Sequence, residues 1–199
     1  MGDGSRKRVL VTGAEGTIGA VVRQHLGGRY ELRALTRTPQ PYPSHVADIA
    51  DLEAIGAAFA GIDAVVHLAA SPAVETPWAE ILPNNLIGTY NVFEAARRAC
   101  VDRVVFASSN HVIGMDEIAN APAIYDPADG RRFDHTAEPR PDSLYGVSKL
   151  FGEGLGRYYV ERHGMAVVCL RIGTVRAEDD PADPAVLASV PEPLAFLTP

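Results

Sequence analysis

The sequence predicts an α/β protein built on a doubly wound parallel sheet, with helices on both faces. Short β-branched segments alternate with helical patterns through the first 176 residues, and parallel strands need such crossover helices. The first strand-like segment also runs directly into a glycine-rich turn that opens a helix. The chain has 199 residues, of which 47% are hydrophobic, and this suits one domain with its own core.

In the first half of the chain, apolar and β-branched runs predict four strands, over residues 8–12, 31–36, 45–47 and 64–68. Two helical patterns lie between them. The first covers residues 16–26 and is followed by Gly27 and Gly28, since glycine commonly ends helices. The second covers residues 52–59 and follows Asp51, whose carboxylate is a favourable N-terminal cap.

The second half continues the alternation with two long helices and two further strands. The helical patterns cover residues 84–100 and 144–161, and the strands cover residues 103–108 and 165–171. Residues 115–141 contain four prolines among alternating charges, which predicts a loop. Beyond Arg176 the composition becomes acidic and proline-rich, with no strong period.

The composition also excludes several classes of partner. There are 18 Lys and Arg against 25 Asp and Glu, so the net charge is −7 and the pI is about 5.3. Because such a chain repels phosphate backbones and anionic bilayers, we expect neither a nucleic-acid nor a membrane partner. Cys100 and Cys169 lie far apart in apolar sequence without ligand spacing, which predicts reduced, buried thiols and no metal site. With no membrane-spanning run and no signal-peptide core, we expect a soluble cytoplasmic protein.

The glycine-rich turn has the pattern Gly13-x-x-Gly16-x-x-Gly19, between the first strand and the first helix. Glycine lets the backbone turn tightly and approach a pyrophosphate, whose charge then meets free N–H groups at the helix N-terminus. A flexible strand-to-helix turn would also use glycines. The strand before and the helix after the motif favour a dinucleotide site, and therefore a Rossmann fold.

The end of the second strand bears on which dinucleotide is bound. A carboxylate there would bind the adenosine ribose hydroxyls, whereas an arginine would accept a 2′-phosphate. The chain has Thr36-Arg37 at this point and no carboxylate, so NADP is preferred and NAD is the alternative. Arg37 is equally compatible with a solvated loop arginine. Asp48 is a candidate partner for the adenine amino group, or else a turn or cap residue.

Tyr145 and Lys149 form a YxxxK motif on the long second-half helix, so both side chains lie on one face. A phenol titrates near pH ~10, but a nearby cation favours the phenolate. Tyr145 would then act as a general acid and base at neutral pH. The plainer alternative is a tyrosine stacked on a lysine stem. Ser108 and Ser109, at the end of the fifth strand, add hydroxyls at the same edge of the sheet.

Together these motifs resemble the extended short-chain dehydrogenase/reductase family, in its NAD-dependent epimerase/dehydratase group. The segments HLAA at 67–70 and NLIGT at 85–89 belong to the same resemblance, which covers residues 9–174. Two further segments, FASSNHVIG at 106–114 and RPDSLYGVSK at 140–149, are similar to uronate dehydrogenases, which oxidise hexuronic acids to aldarolactones.

The resemblance implies hydride transfer between a nicotinamide and a carbinol carbon. Tyr145 would take the hydroxyl proton, Ser109 would hydrogen-bond the same oxygen, and Lys149 would bind the nicotinamide ribose and lower the pKa of Tyr145. The implied cofactor-binding residues are Gly13, Gly16, Thr17, Ile18, Gly19, Thr36, Arg37, Asp48, Ile49, Leu68, Ala69, Ala70, Asn85, Tyr145 and Lys149.

The implied substrate-binding residues are Ser109, Asn110, His111 and Arg171, with Arg171 facing a sugar carboxylate. A packed core histidine at 111, an acidic partner for Arg171 and a helix cap at Asn85 are the alternatives. The resemblance further implies a homodimer, paired through the helices at 84–100 and 144–161.

The chain departs from this pattern in three places. Uronate dehydrogenases present an acidic residue after the second strand, where this chain has Thr36-Arg37. The segment between Gly114 and Pro139 is long. The family continues beyond the sixth strand with elements that close the substrate pocket. We therefore expect residues 1–176 to form the dinucleotide-binding domain and residues 177–199 a tail, with the usual C-terminal substrate subdomain short or missing.

Three functions follow from these observations. The first is an NAD(P)-dependent oxidoreductase of the extended short-chain type, acting on a sugar acid or related small polyol. The second is a sugar or nucleotide-sugar epimerase or dehydratase, which shares the same Tyr145 and Lys149 and keeps its cofactor bound. The third is a non-catalytic NAD(P)-binding sensor module, suggested by the short C-terminal region.

Overall fold

The computed structural model describes residues 6–126 and 128–175, and it confirms the α/β fold class. Six strands form one sheet in the order β3-β2-β1-β4-β5-β6, and every neighbouring pair is parallel. The strands are β1 Arg8–Thr12, β2 Glu31–Thr36, β3 Ser44–Val46, β4 Ala64–His67, β5 Arg103–Ser109 and β6 Ala166–Ile172. The strand order reverses between β1 and β4, and open α/β sheets bind ligands at such a point, outside the carboxyl ends of the strands.

Helices join these strands. They are α1 Thr17–Leu26, α2 Leu52–Ile55, α3 Trp78–Ile81, α4 Gly88–Arg98, α5 Gly114–Asn120 and α6 Leu144–His163. Short 3-10 turns cover Gly56–Phe59, Asn110–Val112 and Ala123–Tyr125, and a π-helical turn covers Leu82–Ile87. No helix in the described part of the chain is long and apolar enough to cross a membrane.

Three predicted elements differ from the structure. The helix predicted over residues 52–59 changes to 3-10 geometry at Gly56. The helix predicted from residue 84 begins at Trp78 and passes through the π-helical turn, where Pro83 has no N–H to donate to a regular helix. The predicted loop 115–141 contains α5, whose first turn carries Asp116 and Glu117, and such carboxylates stabilise a helix N-terminus.

The core lies mainly on one face of the sheet, under α2, α4 and α6. Its largest fully buried side chains include Phe59, Phe93, Phe106 and Tyr159. A smaller apolar cluster on the other face centres on Val9, Val11, Ala14 and Ala34, with Val22 of α1 packed against it.

Cys100 is not the buried thiol that the apolar sequence predicts. It is exposed, because it follows the end of α4 in a left-handed conformation with φ of 56°. Cys169 is half-buried on β6, and burial raises the pKa of its thiol to about 11. Both thiols are free. The tail predicted at residues 177–199 lies outside the described residues.

Candidate active site

A cleft of about 560 Å³ opens at the carboxyl ends of β1, β2, β4 and β5. It brings together most of the residues singled out in the sequence. These are Gly13, Gly16, Thr17, Ile18, Gly19, Thr36, Arg37, Asp48, Ile49, Leu68, Ala69, Ala70, Ser109, Asn110, His111, Tyr145 and Lys149. Asn85 and Arg171 are not among its lining residues. Ser71, Asn84 and Thr174 also line the cleft, and the sequence did not single them out.

The glycine-rich turn forms one end of the cleft. Gly13 has φ of 67°, and a Cβ there would stand 2.8 Å from the backbone nitrogen of Ala69. A Cβ at Gly19 would stand 2.5 Å from the carbonyl oxygen of Gly13. The N–H groups of Thr17, Ile18 and Gly19 donate to no other atom of the described chain, and no side chain caps the helix. This cradle therefore fits the pyrophosphate of a dinucleotide.

A buried hydrogen-bond chain under this cradle escaped the sequence reasoning. The hydroxyl of Thr12 accepts from the backbone N–H groups of Leu68 and Ala69, each at 3.2 Å, and lies 2.8 Å from Nδ1 of His67. Nε2 of His67 lies 3.2 Å from the hydroxyl of Thr89. Burial, with a contribution from the charge of Lys149, lowers the pKa of His67 to about 3. A neutral His67 thus ties the ends of β1 and β4 to α4.

Tyr145 and Lys149 lie on the first two turns of α6, at the other end of the cleft. Ser143 caps this helix, accepting from the N–H of Gly146 at 3.0 Å. Nζ of Lys149 donates to the carbonyl oxygen of Ala107 at 2.8 Å and lies 5.5 Å from the centre of the Tyr145 ring. Lys149 is 5% exposed, and burial lowers its pKa to about 8.

The pKa of the Tyr145 phenol lies above its ordinary value in this structure. Burial raises its pKa, and the neighbouring Ser109 hydroxyl offsets only part of that effect. The lowering of this pKa by Lys149 that the resemblance implies, beside a bound nicotinamide, stays a prediction.

Ser109, Asn110 and His111 surround the phenol. The hydroxyl of Ser109 accepts from the backbone N–H of His111 at 3.2 Å and donates to Oδ1 of Asn110 at 3.2 Å. The His111 ring meets the Tyr145 ring edge-on, and its Nδ1 lies 2.7 Å from Oδ2 of Asp142. His111 is therefore a half-exposed residue of the cleft rather than a core histidine, and Asp142 orients it.

Asn85 supports the cleft from below instead of lining it. Its Oδ1 accepts from the N–H of Ser71 at 2.8 Å, and its Nδ2 donates to the hydroxyl of Ser148 at 3.0 Å. Ser148 in turn donates to the carbonyl oxygen of Tyr145 at 2.7 Å. Asn85 lies inside the π-helical turn and caps no helix. It connects the loop after β4 to α6.

Arg171, which the resemblance places at a sugar carboxylate, is paired with a glutamate of α6 in this structure. Its Nε and Nη2 donate to the two carboxylate oxygens of Glu153, each at 2.9 Å, and the hydroxyl of Ser108 donates to the same carboxylate at 2.5 Å. The register of β5 and β6 pairs Ser108 with Arg171, so both side chains point toward α6. Glu153, which the sequence did not single out, is the acidic neighbour left open as the alternative.

The adenosine end of the cleft contains Thr36, Arg37 and Asp48. The hydroxyl of Thr36 donates to the carbonyl oxygen of Thr38 at 2.9 Å. The exposed Arg37 has no ion pair or hydrogen bond within the described chain. The carboxylate of Asp48 accepts from the N–H of Ala50 at 2.8 Å, so it closes a turn while lining the cleft.

Comparisons with known proteins point to one family. The family model described as "NAD dependent epimerase/dehydratase family" matches residues 9–190. The chain is 45% identical to L-arabinose 1-dehydrogenase (NAD(P)(+)) of Haloferax volcanii, covering 87% of this chain and 69% of that protein. It is 41% identical to uronate dehydrogenase of Agrobacterium fabrum, covering 86% of this chain and 63% of that protein.

A solved structure extends this likeness to three dimensions. It is a mutant of uronate dehydrogenase from Agrobacterium tumefaciens in complex with NAD, with a TM-score of 0.73 and 41% identity. The match covers 84% of this chain and 61% of that one. The chain thus spans about three fifths to seven tenths of these proteins. Since the family model covers most of its length, the chain belongs to the NAD-dependent epimerase/dehydratase family.

Proposed function

We propose that this protein is an NAD(P)-dependent dehydrogenase, which transfers a hydride between a nicotinamide and a carbinol carbon of a sugar acid or related polyol. One observation carries the proposal. The phenol of Tyr145, the hydroxyl of Ser109 and the ammonium of Lys149 meet in one cleft with a glycine cradle for a pyrophosphate. The dehydrogenase names of two relatives support the same reaction class.

Each of the three side chains has a distinct role in this reaction. The bound nicotinamide supplies the hydride acceptor. In its phenolate form Tyr145 takes the proton of the substrate hydroxyl at its own oxygen, and Ser109 hydrogen-bonds the same substrate oxygen. Lys149 uses one of its three donors on Ala107, which leaves two for the hydroxyls of the nicotinamide ribose.

The residues around Tyr145 suit a substrate that carries several hydroxyl groups. Since Nδ1 of His111 is held by Asp142, its Nε2 remains for a substrate hydroxyl. Asn110, Ser71 and Thr174 add further polar groups to the wall. Arg171 is paired with Glu153 and is not among the residues that line the cleft. Because one relative is an L-arabinose 1-dehydrogenase, neutral sugars belong among the candidate substrates beside uronates.

The proposal is tested by mixing the purified protein with NADP⁺ or NAD⁺ and following the absorbance of the reduced nicotinamide. D-Glucuronate, D-galacturonate and L-arabinose are the substrates to try first. Reduction with at least one of them is the expected result. If the cofactor copurifies with the protein and added NAD(P)⁺ is not reduced, an epimerase is favoured. If NAD(P)⁺ binds saturably but no substrate is turned over, a sensor is favoured.

We further propose that NADP is the preferred cofactor, with Arg37 binding the 2′-phosphate. An arginine–phosphate hydrogen bond contributes about 1.5–3 kcal/mol, so Arg37→Ala should weaken NADPH binding by about tenfold to a hundredfold. NADH binding should change little. Fluorescence titration of both cofactors measures the ratio, and Arg162→Ala, at an exposed position of α6, is the control. An equal loss for both cofactors would contradict this role.

The homodimer and the domain division also remain proposals. Aromatic and apolar side chains on α4 and α6 stay exposed, among them Tyr90 at 43% and Tyr158 at 52%. They support pairing of these helices between two copies, which sedimentation velocity would measure. The described sheet extends from Arg8 to Ile172, and we propose residues 1–176 as the dinucleotide-binding domain and residues 177–199 as a tail. The cytoplasmic location stays a prediction.

A further inference from the structure

A second cavity lies on the face of the sheet that α1 covers, and it shares no lining residue with the cleft. Its volume is about 320 Å³. The floor is apolar and includes Val11 and Ala34, while the rim carries arginine and tyrosine side chains. No role in dinucleotide binding or hydride transfer follows from its position.

The rim of this cavity has an excess of positive charge. Arg6, Arg23 and Arg33 line it, together with the single carboxylate of Glu31. Arg33 pairs with that carboxylate through Nε at 3.2 Å and Nη2 at 2.9 Å. Arg6 donates only to backbone carbonyl oxygens after α1. Two guanidinium groups therefore have no counter-charge within the described chain.

Of these two arginines, Arg23 is the better placed to bind an anion. Its guanidinium carbon lies over the Tyr42 ring, 4.0 Å from the ring centre, at a distance typical of a cation–π contact. Its Nε donates to the carbonyl oxygen of Ala14 at 3.0 Å. Nη1 and Nη2 have no partner among the described residues, and they form the edge with which arginine holds a carboxylate or phosphate.

The hydroxyl of Tyr42 is the second observation that points to a ligand. Its oxygen is buried and has no hydrogen-bond partner in the described chain, and Tyr42 is one of the residues that line this cavity. Buried hydroxyl groups in proteins are almost always hydrogen-bonded. A group that accepts from Tyr42 would also lie beside the stacked guanidinium of Arg23.

We propose that this cavity binds a small oxyanion, a carboxylate or a phosphate, through the free edge of Arg23 and the hydroxyl of Tyr42. When such an anion is bound, Nε of Arg23 still donates to the carbonyl oxygen of Ala14 in the glycine-rich turn. The anion therefore holds the arginine side chain in that position. The site therefore favours the turn geometry that cradles a dinucleotide, and by linkage each ligand strengthens binding of the other.

The test follows the Nε–H resonance of Arg23 in ¹⁵N-labelled protein during titration with inorganic phosphate, acetate or chloride at constant ionic strength. The resonance is assigned through Arg23→Lys. This readout needs neither cofactor nor turnover, so it stands apart from a failure of the proposed function. It also separates the cavity from the glycine cradle, where phosphate could bind too. Saturable shifts with phosphate or acetate and none with chloride are expected, and their relative affinities distinguish the two chemistries.

Tyr42→Phe makes the test specific, because it removes a hydroxyl that has no protein partner. Without anion, the variant should be as stable as wild type or more so. Its anion affinity should fall about threefold to tenfold, while Tyr158→Phe changes nothing. Unchanged affinity in Tyr42→Phe, or a loss of stability without anion, would overturn the site. Binding that leaves NADPH affinity unchanged would overturn the linkage.

Discussion

Replacement of Tyr145 by phenylalanine is expected to lower turnover by roughly a hundredfold to ten-thousandfold, the usual contribution of a general acid or base. The substitution removes one oxygen from a ring that is packed edge-on against His111. Lys149 keeps its hydrogen bond to Ala107, and the glycine cradle lies at the other end of the cleft. Dinucleotide affinity should therefore stay near the wild-type value.

The pH profile adds a second readout for this variant. Burial raises the pKa of Tyr145, so the neutral phenol predominates around neutral pH. Oxidation of a substrate hydroxyl requires the phenolate as base, and its rate should rise as the pH increases toward that pKa. Tyr145→Phe should lose this rise along with the rate.

Tyr158→Phe provides the matched control, since it removes a phenolic oxygen of the same helix outside the cleft and keeps the aromatic ring at the proposed pairing surface. Initial rates with saturating cofactor, and fluorescence titration of the reduced cofactor, separate turnover from binding. Unchanged turnover in Tyr145→Phe would remove Tyr145 from the chemistry. A loss of cofactor binding equal to the loss of rate would assign it a purely structural role.

Local patterns were enough to predict the sheet and the cradle. The strand β1, the turn at Gly13 and the helix α1 follow one another along the chain, and each has its own signal in neighbouring residues. Tyr145 and Lys149 share a helix face at a fixed spacing, so their common position in the cleft also followed from local geometry. The family match confirms the resemblance that these motifs carry.

The features that escaped prediction depend on contacts distant in sequence. Thr12 meets His67 through pairing of β1 with β4, and Asp142 meets His111 across the segment that contains α5. Asn85 reaches Ser148 across 63 residues. Arg171 directly precedes Ile172, which lines the cleft, but the register with β5 turns the side chain of Arg171 toward Glu153.

The pairing of Arg171 with Glu153 leads to the largest expected effect on stability. Both side chains are mostly buried, with exposures of 21% and 16%. Removal of one partner of a buried ion pair leaves the other charge uncompensated and costs about 3–5 kcal/mol. Arg171→Met should lower the free energy of unfolding by about that amount, measured by urea denaturation. Adding Glu153→Gln should restore roughly half of the loss, because the amide oxygen still accepts from Ser108.

The pH dependence of this loss identifies its electrostatic origin. Burial raises the pKa of Glu153, but hydrogen bonds from Arg171 and Ser108 outweigh it, so the pKa in the folded protein lies below its ordinary value. The pair therefore stabilises the wild type above the unfolded-state pKa of about 4.3, and that contribution disappears as the pH falls through the folded-state pKa. In Arg171→Met only the hydrogen bond from Ser108 still opposes burial, so the pKa of Glu153 rises relative to the wild type, and the deficit should be largest near neutral pH and shrink in acid. Arg157→Met breaks an exposed ion pair with Glu161 and should cost at most about 1 kcal/mol. A deficit for Arg171→Met that is independent of pH, and that Glu153→Gln does not relieve, would instead indicate lost packing of the arginine stem.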